Sequence, residues 1–210
     1  NFRNEIYSEY KANRSDAPDD LIPQFDYIRK SVEAFNLPSI ELINYEADDL
    51  IATYSEQIIK KGGYVTIVSS DKDLMQLYKK NIRIYDPMKN KFINEEDIQK
   101  KFGVKAEKVI DVQSLAGDSS DNVPGVPGIG IKTAAELINE YGTLENLLSN
   151  SKNIKQNKRR ETLIENKQKA MISKKLVTLK KDVPVKIPHS DFVLKQIDKK
   201  KLYKKLSSDN

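Results

Sequence analysis

Tyr64-Val65-Thr66-Ile67-Val68-Ser69-Ser70-Asp71-Lys72-Asp73 is the stretch whose reading decides the fold class. Residues 64–68 form a β-branched apolar run, with Gly62-Gly63 before it and Ser69-Ser70-Asp71 after it, the pattern of a buried strand in a parallel sheet. In an open α/β sheet, ligands bind outside the carboxyl ends of the strands, and here Asp71 and Asp73 occupy that place. Two residues apart in extended chain, their side chains point the same way.

Outward from this stretch the same rhythm continues. After Glu46, the spacing of Leu50, Ile51, Tyr54 and Ile58 marks a helical face, and Ile40-Glu41-Leu42-Ile43 predicts a short strand before it. Phe25, Ile28, Val32 and Phe35 predict an amphipathic helix over 23–35. Downstream, 73–78 predicts a helix, Ile82-Arg83-Ile84-Tyr85 a strand, and Asn94 with Asp97 a capped helix ending near Gly103. This alternation implies an α/β fold, a parallel sheet with covering helices. From Ala106 the pattern becomes helical only: 108–115, 132–141, 144–148 and a Lys-rich stretch through Leu179. The run 199–205 is expected to fray, and 195–210 to be a linker or truncated junction.

The 210 residues suffice for one core with a helical appendage. No apolar run approaches about 18 residues, so no membrane span is expected. Cysteine is absent and His189 is the single histidine, which excludes thiolate metal sites and argues against a histidine zinc site. Any metal must be held by oxygen, and His189 itself, beside Pro188, is assigned no role. The net charge of +5 says little alone, but acidic residues cluster before residue 122 while 152–181 is dominated by Lys and Arg. Such a basic stretch is as consistent with a solvated helix face as with nucleic-acid contact. The chain opens Asn1-Phe2-Arg3 with neither initiator Met nor signal peptide, and reads as part of a longer cytoplasmic protein.

Three acidic clusters carry the chemistry: Glu46/Asp48/Asp49, Asp71/Asp73 and Asp118/Asp121. Glu46 and Asp49, three apart, share a helical face, and one helical turn can aim Asp118 and Asp121 at one point. Like charges about 4 Å apart at an effective dielectric near 20 repel by roughly 4 kcal/mol, so seven carboxylates sharing a pocket require cations. All-oxygen ligation favours Mg²⁺ or Mn²⁺, and two ions about 4 Å apart can hold a scissile phosphate, generate hydroxide and stabilise the leaving oxygen. Cluster by cluster, the commoner role of such residues is helix capping or exposed charge. Three clusters at the ends of separate elements weigh against that, and no EF-hand spacing supports a Ca²⁺ site.

Gly125-Val126-Pro127-Gly128-Ile129-Gly130-Ile131-Lys132 joins two predicted helices. Its glycines expose N–H groups and the next helix adds a positive dipole end, so the loop can hold a DNA phosphate, with Lys132 adding charge; a plain chain turn is the alternative. Near the start, Arg3, Lys11 and Arg14 alternate with Tyr7 and Tyr10, which suits phosphates and unstacked bases or, equally, a surface helix.

In order, Tyr45-Glu46-Ala47-Asp48-Asp49, Ser70-Asp71-Lys72-Asp73 and Gly117-Asp118-Ser119-Ser120-Asp121-Asn122, followed by 125–132, resemble the 5′-nuclease domains of bacterial DNA polymerases I, in the flap-endonuclease superfamily. The resemblance covers about residues 2–188. It implies a PIN-like α/β nuclease core and a helix-three-turn-helix module gripping duplex DNA through 125–132, often with bound K⁺. It further implies that Glu46, Asp48, Asp49 and Asp71 lie nearer a first metal, and Asp73, Asp118 and Asp121 nearer a second. Lys11 and Arg14 match positions contacting the scissile phosphate at a helical gateway, and Tyr10 is expected to stack on a base there. The family's first strand and two further aspartates, expected upstream, are not in this sequence, which puts the activity of this segment alone in question.

The expected division is a partial catalytic core over 1–104, a helical DNA-binding module over 105–188 carrying Gly125, Gly128, Ile129, Gly130 and Lys132, and a tail over 189–210. The expected function is metal-dependent 5′-3′ exonuclease and flap-endonuclease action on DNA, in a monomer linked to polymerase domains. A non-catalytic DNA-binding module and a PIN-like ribonuclease are the rivals.

Overall fold

Val65–Val68 forms β1 and runs parallel to β2, Ile82–Asp86, in register from Val65↔Ile82 to Val68↔Tyr85, in the computed structural model, which describes residues 1–197 and 199–207. Alternation works as expected in β2, where Ile82 and Ile84 face the core and Arg83 faces solvent. A third strand, β3 (Lys91–Ile93), pairs antiparallel to β2, so the sheet is mixed and not parallel throughout. The cause is local: only residues 87–90 separate β2 from β3, enough for a turn and too few for the crossover that parallel neighbours need. Asn90 turns left-handed there (φ 50°), and Asp86 Oδ1 accepts the Met88 and Lys89 N–H groups at 3.0 and 3.2 Å.

Helices α1 (Phe2–Ile6), α2 (Ile22–Ala34) and α3 (Ala47–Lys60) precede the sheet. The strand expected over 40–43 does not form: Ile43 is exposed, and Asn44 adopts a left-handed φ of 74° that ends extended chain. The helix expected over 73–78 is a short 3₁₀ turn, Asp73–Leu77. Leu74, Met75, Gln76 and Leu77 are all buried, so this segment has no solvent face for an amphipathic α-helix to present.

Helix α4 (Glu95–Phe102) is capped as its sequence predicts, Asn94 accepting from the Asp97 N–H and Gly103 ending it with φ 72°. Helix α5 (Val109–Ala116) packs between α6 (Ile131–Tyr141) and α9 (Lys167–Val177), and α7 (Leu144–Ser149) and α8 (Asn157–Glu165) complete the helical layer. The Lys-rich stretch is therefore two helices divided at Asn166. Helix α10 (Lys199–Ser207) packs on α2, so the part of the end that was expected to fray is helical; residues 198 and 208–210 of the expected tail lie outside the described residues. One continuous core, including Leu74, Ile84, Phe102, Leu115, Ile138 and Leu163, runs from the sheet into the helical layer. No helix among the described residues is long and apolar enough to cross a membrane.

The seam between the layers is held by a buried ion pair. Arg3, only 1% exposed, makes a two-pronged contact with Asp49 at 2.7 and 2.8 Å and donates its Nε to the Leu176 carbonyl at 2.7 Å. That geometry ties α1, α3 and α9 together, and the fork-to-carboxylate match is why arginine suits the position.

Candidate active site

An open cleft of about 510 Å³ lies where the carboxyl end of β1, the N-terminus of α3 and the loop after α5 meet. Six of the seven carboxylates read from the sequence line it: Glu46, Asp48, Asp71, Asp73, Asp118 and Asp121. The seventh, Asp49, is turned away. Consecutive helical residues point about 100° apart, so Asp48 at the start of α3 faces the cleft while Asp49 is fully buried against Arg3.

Each cluster is aimed by its own local structure. Asp71 accepts the Asp73 N–H at 2.9 Å, a tight turn that leads β1 into the 3₁₀ segment. Asp73 accepts from the buried Gln113 Nε2 at 2.6 Å. Asp118 and Asp121 do not share a helical turn as expected. Gly117 ends α5, and Asp118 pairs with Val123 as an isolated bridge (N–H to carbonyl 3.0 and 2.7 Å) around a tight loop in which Asn122 is left-handed (φ 53°). The loop closes only because Gly117 and Gly125 touch: a Cβ on Gly125 would sit 2.5 Å from the Gly117 nitrogen.

Charge is unevenly matched. Lys11 donates to Glu46, Arg14 to Asp121 and Lys72 to Asp118. Asp48, Asp71 and Asp73 have no ion pair with Lys or Arg among the described residues. Burial and then the like charges of Asp71, Asp73 and Glu46 push the Asp48 carboxyl up to about 6. Burial likewise raises Asp73. Burial opposes ionisation of Asp118 too, but Lys72 and backbone N–H groups hold it below the ordinary carboxylate range. For Asp49, burial is outweighed by Arg3 and the Lys180 N–H, which keep it low.

The donor set suits a hard divalent cation, being all carboxylate and rich in uncompensated charge. Its spacing is open, since among the described residues no three of these acids close around one point. Glu46, Asp118 and Asp121 are turned toward Lys11, Lys72 and Arg14, so closing the set requires those side chains to swing.

Three expected DNA contacts take other roles. Tyr10 is 5% exposed in a cluster with Val123, Leu176 and Val177, and its hydroxyl donates to Glu46 at 3.1 Å, so its ring offers no free face to a base. Gly125 is buried and its N–H donates to Ser173 Oγ at 2.9 Å, which removes it from the phosphate-facing surface. Ile129 is also buried and its N–H bonds the Val126 carbonyl. Gly128 (φ 74°), Gly130 and Lys132 are exposed, at the uncapped start of α6. Arg3, offered by the sequence as a phosphate contact, is buried against Asp49 instead, and Lys72 and Gln113 were missed as site residues. Lys72 had a signal, standing between two aspartates, and Gln113 a weaker one, as a polar residue in the apolar run 109–115.

The sheet-and-helix core, the acidic cleft at a strand's carboxyl end and the adjoining helical module define the α/β class to which flap nucleases belong. The chain belongs to the 5′-3′ exonuclease family: residues 1–103 match its N-terminal resolvase-like domain and 104–200 its C-terminal SAM fold. It is 54% identical to a DNA polymerase I of Rhizobium leguminosarum, over 92% of this chain and 19% of that protein. It is 40% identical to a 5′-3′ exonuclease of Buchnera aphidicola, over 93% of this chain and 70% of that protein. The chain thus spans about a fifth of the polymerase it matches. Among solved structures, T5 5′-exonuclease with bound divalent zinc superposes with a TM-score of 0.72 at 26% identity, covering 84% of this chain and 69% of that one.

Proposed function

We propose that this chain is the 5′-nuclease part of a DNA polymerase I, hydrolysing DNA phosphodiesters at 5′ ends and flap junctions during replication and repair. The observation that carries the reading is the meeting of six carboxylates from three sequence clusters in one cleft, with Lys11 and Arg14 on its wall. The relatives named DNA polymerase I and 5′-3′ exonuclease support it.

In this reading Glu46, Asp48 and Asp71 hold one Mg²⁺ or Mn²⁺, and Asp73, Asp118 and Asp121 a second. When bound, such ions make a bound water acidic and stabilise charge on the leaving oxygen. The chain's own residues do the positioning. Tyr10 fixes Glu46, Gln113 fixes Asp73, and Asp49 serves the site through Arg3 as a structural residue. Lys11 and Arg14, released from Glu46 and Asp121, turn their charge to the scissile phosphate. Gly128, Gly130 and Lys132 grip a phosphate of the duplex at the head of α6, where K⁺ can also sit, while Gly125 and Ile129 shape the loop from beneath. The substrate is DNA with a 5′ end or flap. The protein works as a cytoplasmic monomer with polymerase domains on the same chain.

The test uses the full-length protein with a 5′-flap DNA and Mg²⁺. Asp71→Asn and Asp118→Asn are expected to lower cleavage by about 10³-fold or more while flap binding persists. Full activity in both variants would overturn the metal assignment, and cleavage of single-stranded RNA in preference to flap DNA would overturn the substrate.

A further inference from the structure

The buried amides of Gln76 and Gln113 are used differently. Gln76, 8% exposed, is satisfied at both ends: Nε2 donates to the Val177 carbonyl at 3.0 Å and Oε1 accepts the Leu179 N–H at 3.1 Å. It is a strap between the 3₁₀ turn and the end of α9. Gln113, 2% exposed on α5, makes one bond, Nε2 to Asp73 Oδ1 at 2.6 Å, and its Oε1 is the buried side-chain polar atom without a partner among the described residues.

An unsatisfied buried acceptor is destabilising, and a residue that served only packing would be better apolar. The other buried polar groups of α5 are settled within the fold: Ser114 Oγ donates to the Ile110 carbonyl at 2.6 Å, and Asp111 pairs with Lys174 at 2.7 Å. What Gln113 gains is a bond to a carboxylate, roughly twice as strong as a neutral one. That bond leaves Asp73 Oδ2 without a hydrogen-bond partner among the described residues, while the Asp73 N–H is held by Asp71 at 2.9 Å. The carboxylate is pinned at one oxygen from the core side and presents the other to the cleft. Local rule-breaking of this kind concentrates at functional sites.

We infer that Gln113 is a positioning residue for the metal centre: its amide fixes the plane of Asp73 so that this carboxylate meets the cation without rearrangement. The inference rests on the proposed function, because it needs Asp73 to be a metal ligand. Outer partners of ligands commonly govern metal affinity in this manner.

The test measures Mn²⁺ binding by calorimetry in the full-length protein, beside thermal denaturation and flap-cleavage kinetics. Gln113→Leu keeps the volume, removes the donor and removes the unsatisfied oxygen. Mn²⁺ affinity is expected to fall about 10-fold or more, kcat to fall with it, and KM for DNA and Tm without metal to stay level. Gln113→His supplies a neutral N–H donor toward Asp73 without adding a fixed competing cation, and is expected to recover Mn²⁺ affinity to within about threefold of the parent above about pH 7.5. Parental Mn²⁺ affinity in Gln113→Leu would overturn the inference, as would Gln113→His binding no better than Gln113→Leu; should the Leu variant prove unstable, Gln113→Met takes its place in both comparisons. Absence of saturable Mn²⁺ binding in the parent would instead overturn the metal reading itself, and this inference with it.

Discussion

Asp48 and Asp49 are the same residue at consecutive positions, yet one belongs to the cleft and the other to the seam. Asp49 is fully buried, held in two prongs by Arg3, and kept below the ordinary carboxylate range. Asp48 has no ion pair among the described residues and is pushed up to about 6, by burial first and then by Asp71, Asp73 and Glu46. The seam is a region whose charges are balanced within the chain. The cleft is a region whose charges are balanced only in part, leaving demand for a cation from outside. One step along a helix therefore separates a structural carboxylate from a metal-seeking one.

The largest effect on this contrast comes from removing a seam partner. Asp49→Ala strands the Arg3 guanidinium in the core, and stability measured by denaturant unfolding is expected to drop by about 3–5 kcal/mol. Asp48→Asn has no such partner to strand, and a drop as large as that of Asp49→Ala would erase the distinction. Next comes metal: Mn²⁺ at a hundredfold excess over its Kd is expected to stabilise the parent by about 2.7 kcal/mol, seen as a raised Tm, with Asp48→Asn showing much less.

Titration sharpens the comparison further. Because the folded-state pKa of Asp48 is raised from 3.8 to about 6, the chelated protein is favoured at low pH by this residue. That contribution is fully present below about 4 and is lost as pH rises through about 6. The size is about 1 kcal/mol for a half-buried group partly screened by water, and Asp48→Asn should flatten that part of the stability-versus-pH curve. Asp49 works in the opposite sense: its folded value is lowered, so its contribution is present above about 4 and lost as pH falls through the lower folded value. The smallest effect is expected for Lys72→Met. Its pair with Asp118 is partly exposed, so unfolding free energy should change by about 1 kcal/mol or less, while Mn²⁺ binding tightens because Asp118 loses a competing cation. Unchanged Mn²⁺ affinity in Lys72→Met would show that Lys72 does not compete for Asp118.

Much of this was legible along the chain. Apolar periodicity located α2, α3 and α6, the Asn94–Gly103 signals bounded α4, and six of the seven acids assigned from sequence do line one cleft. What failed did so where local signals were ambiguous or silent. The 40–43 run looks like a strand but has no neighbouring chain pairing with it among the described residues, and β3 went unread because a three-residue strand is defined by its partner. Tyr10 and Gly125 carry the residue types of a nucleic-acid surface but lie beneath it, one under Leu176 and Val177, the other against Gly117.

The sequence by itself determined that this protein is α/β, that any metal it holds is bound by oxygen, and that its acids stand at the ends of elements. Those properties follow from composition and from periodicities that each segment carries alone. Only the tertiary structure decided that Asp49 faces Arg3 instead of the cleft, that Tyr10 supports Glu46, and that Gln113 reaches Asp73 from forty residues away. Each depends on which helix lies across which, and burial assigns a side chain's partner only after that packing is complete.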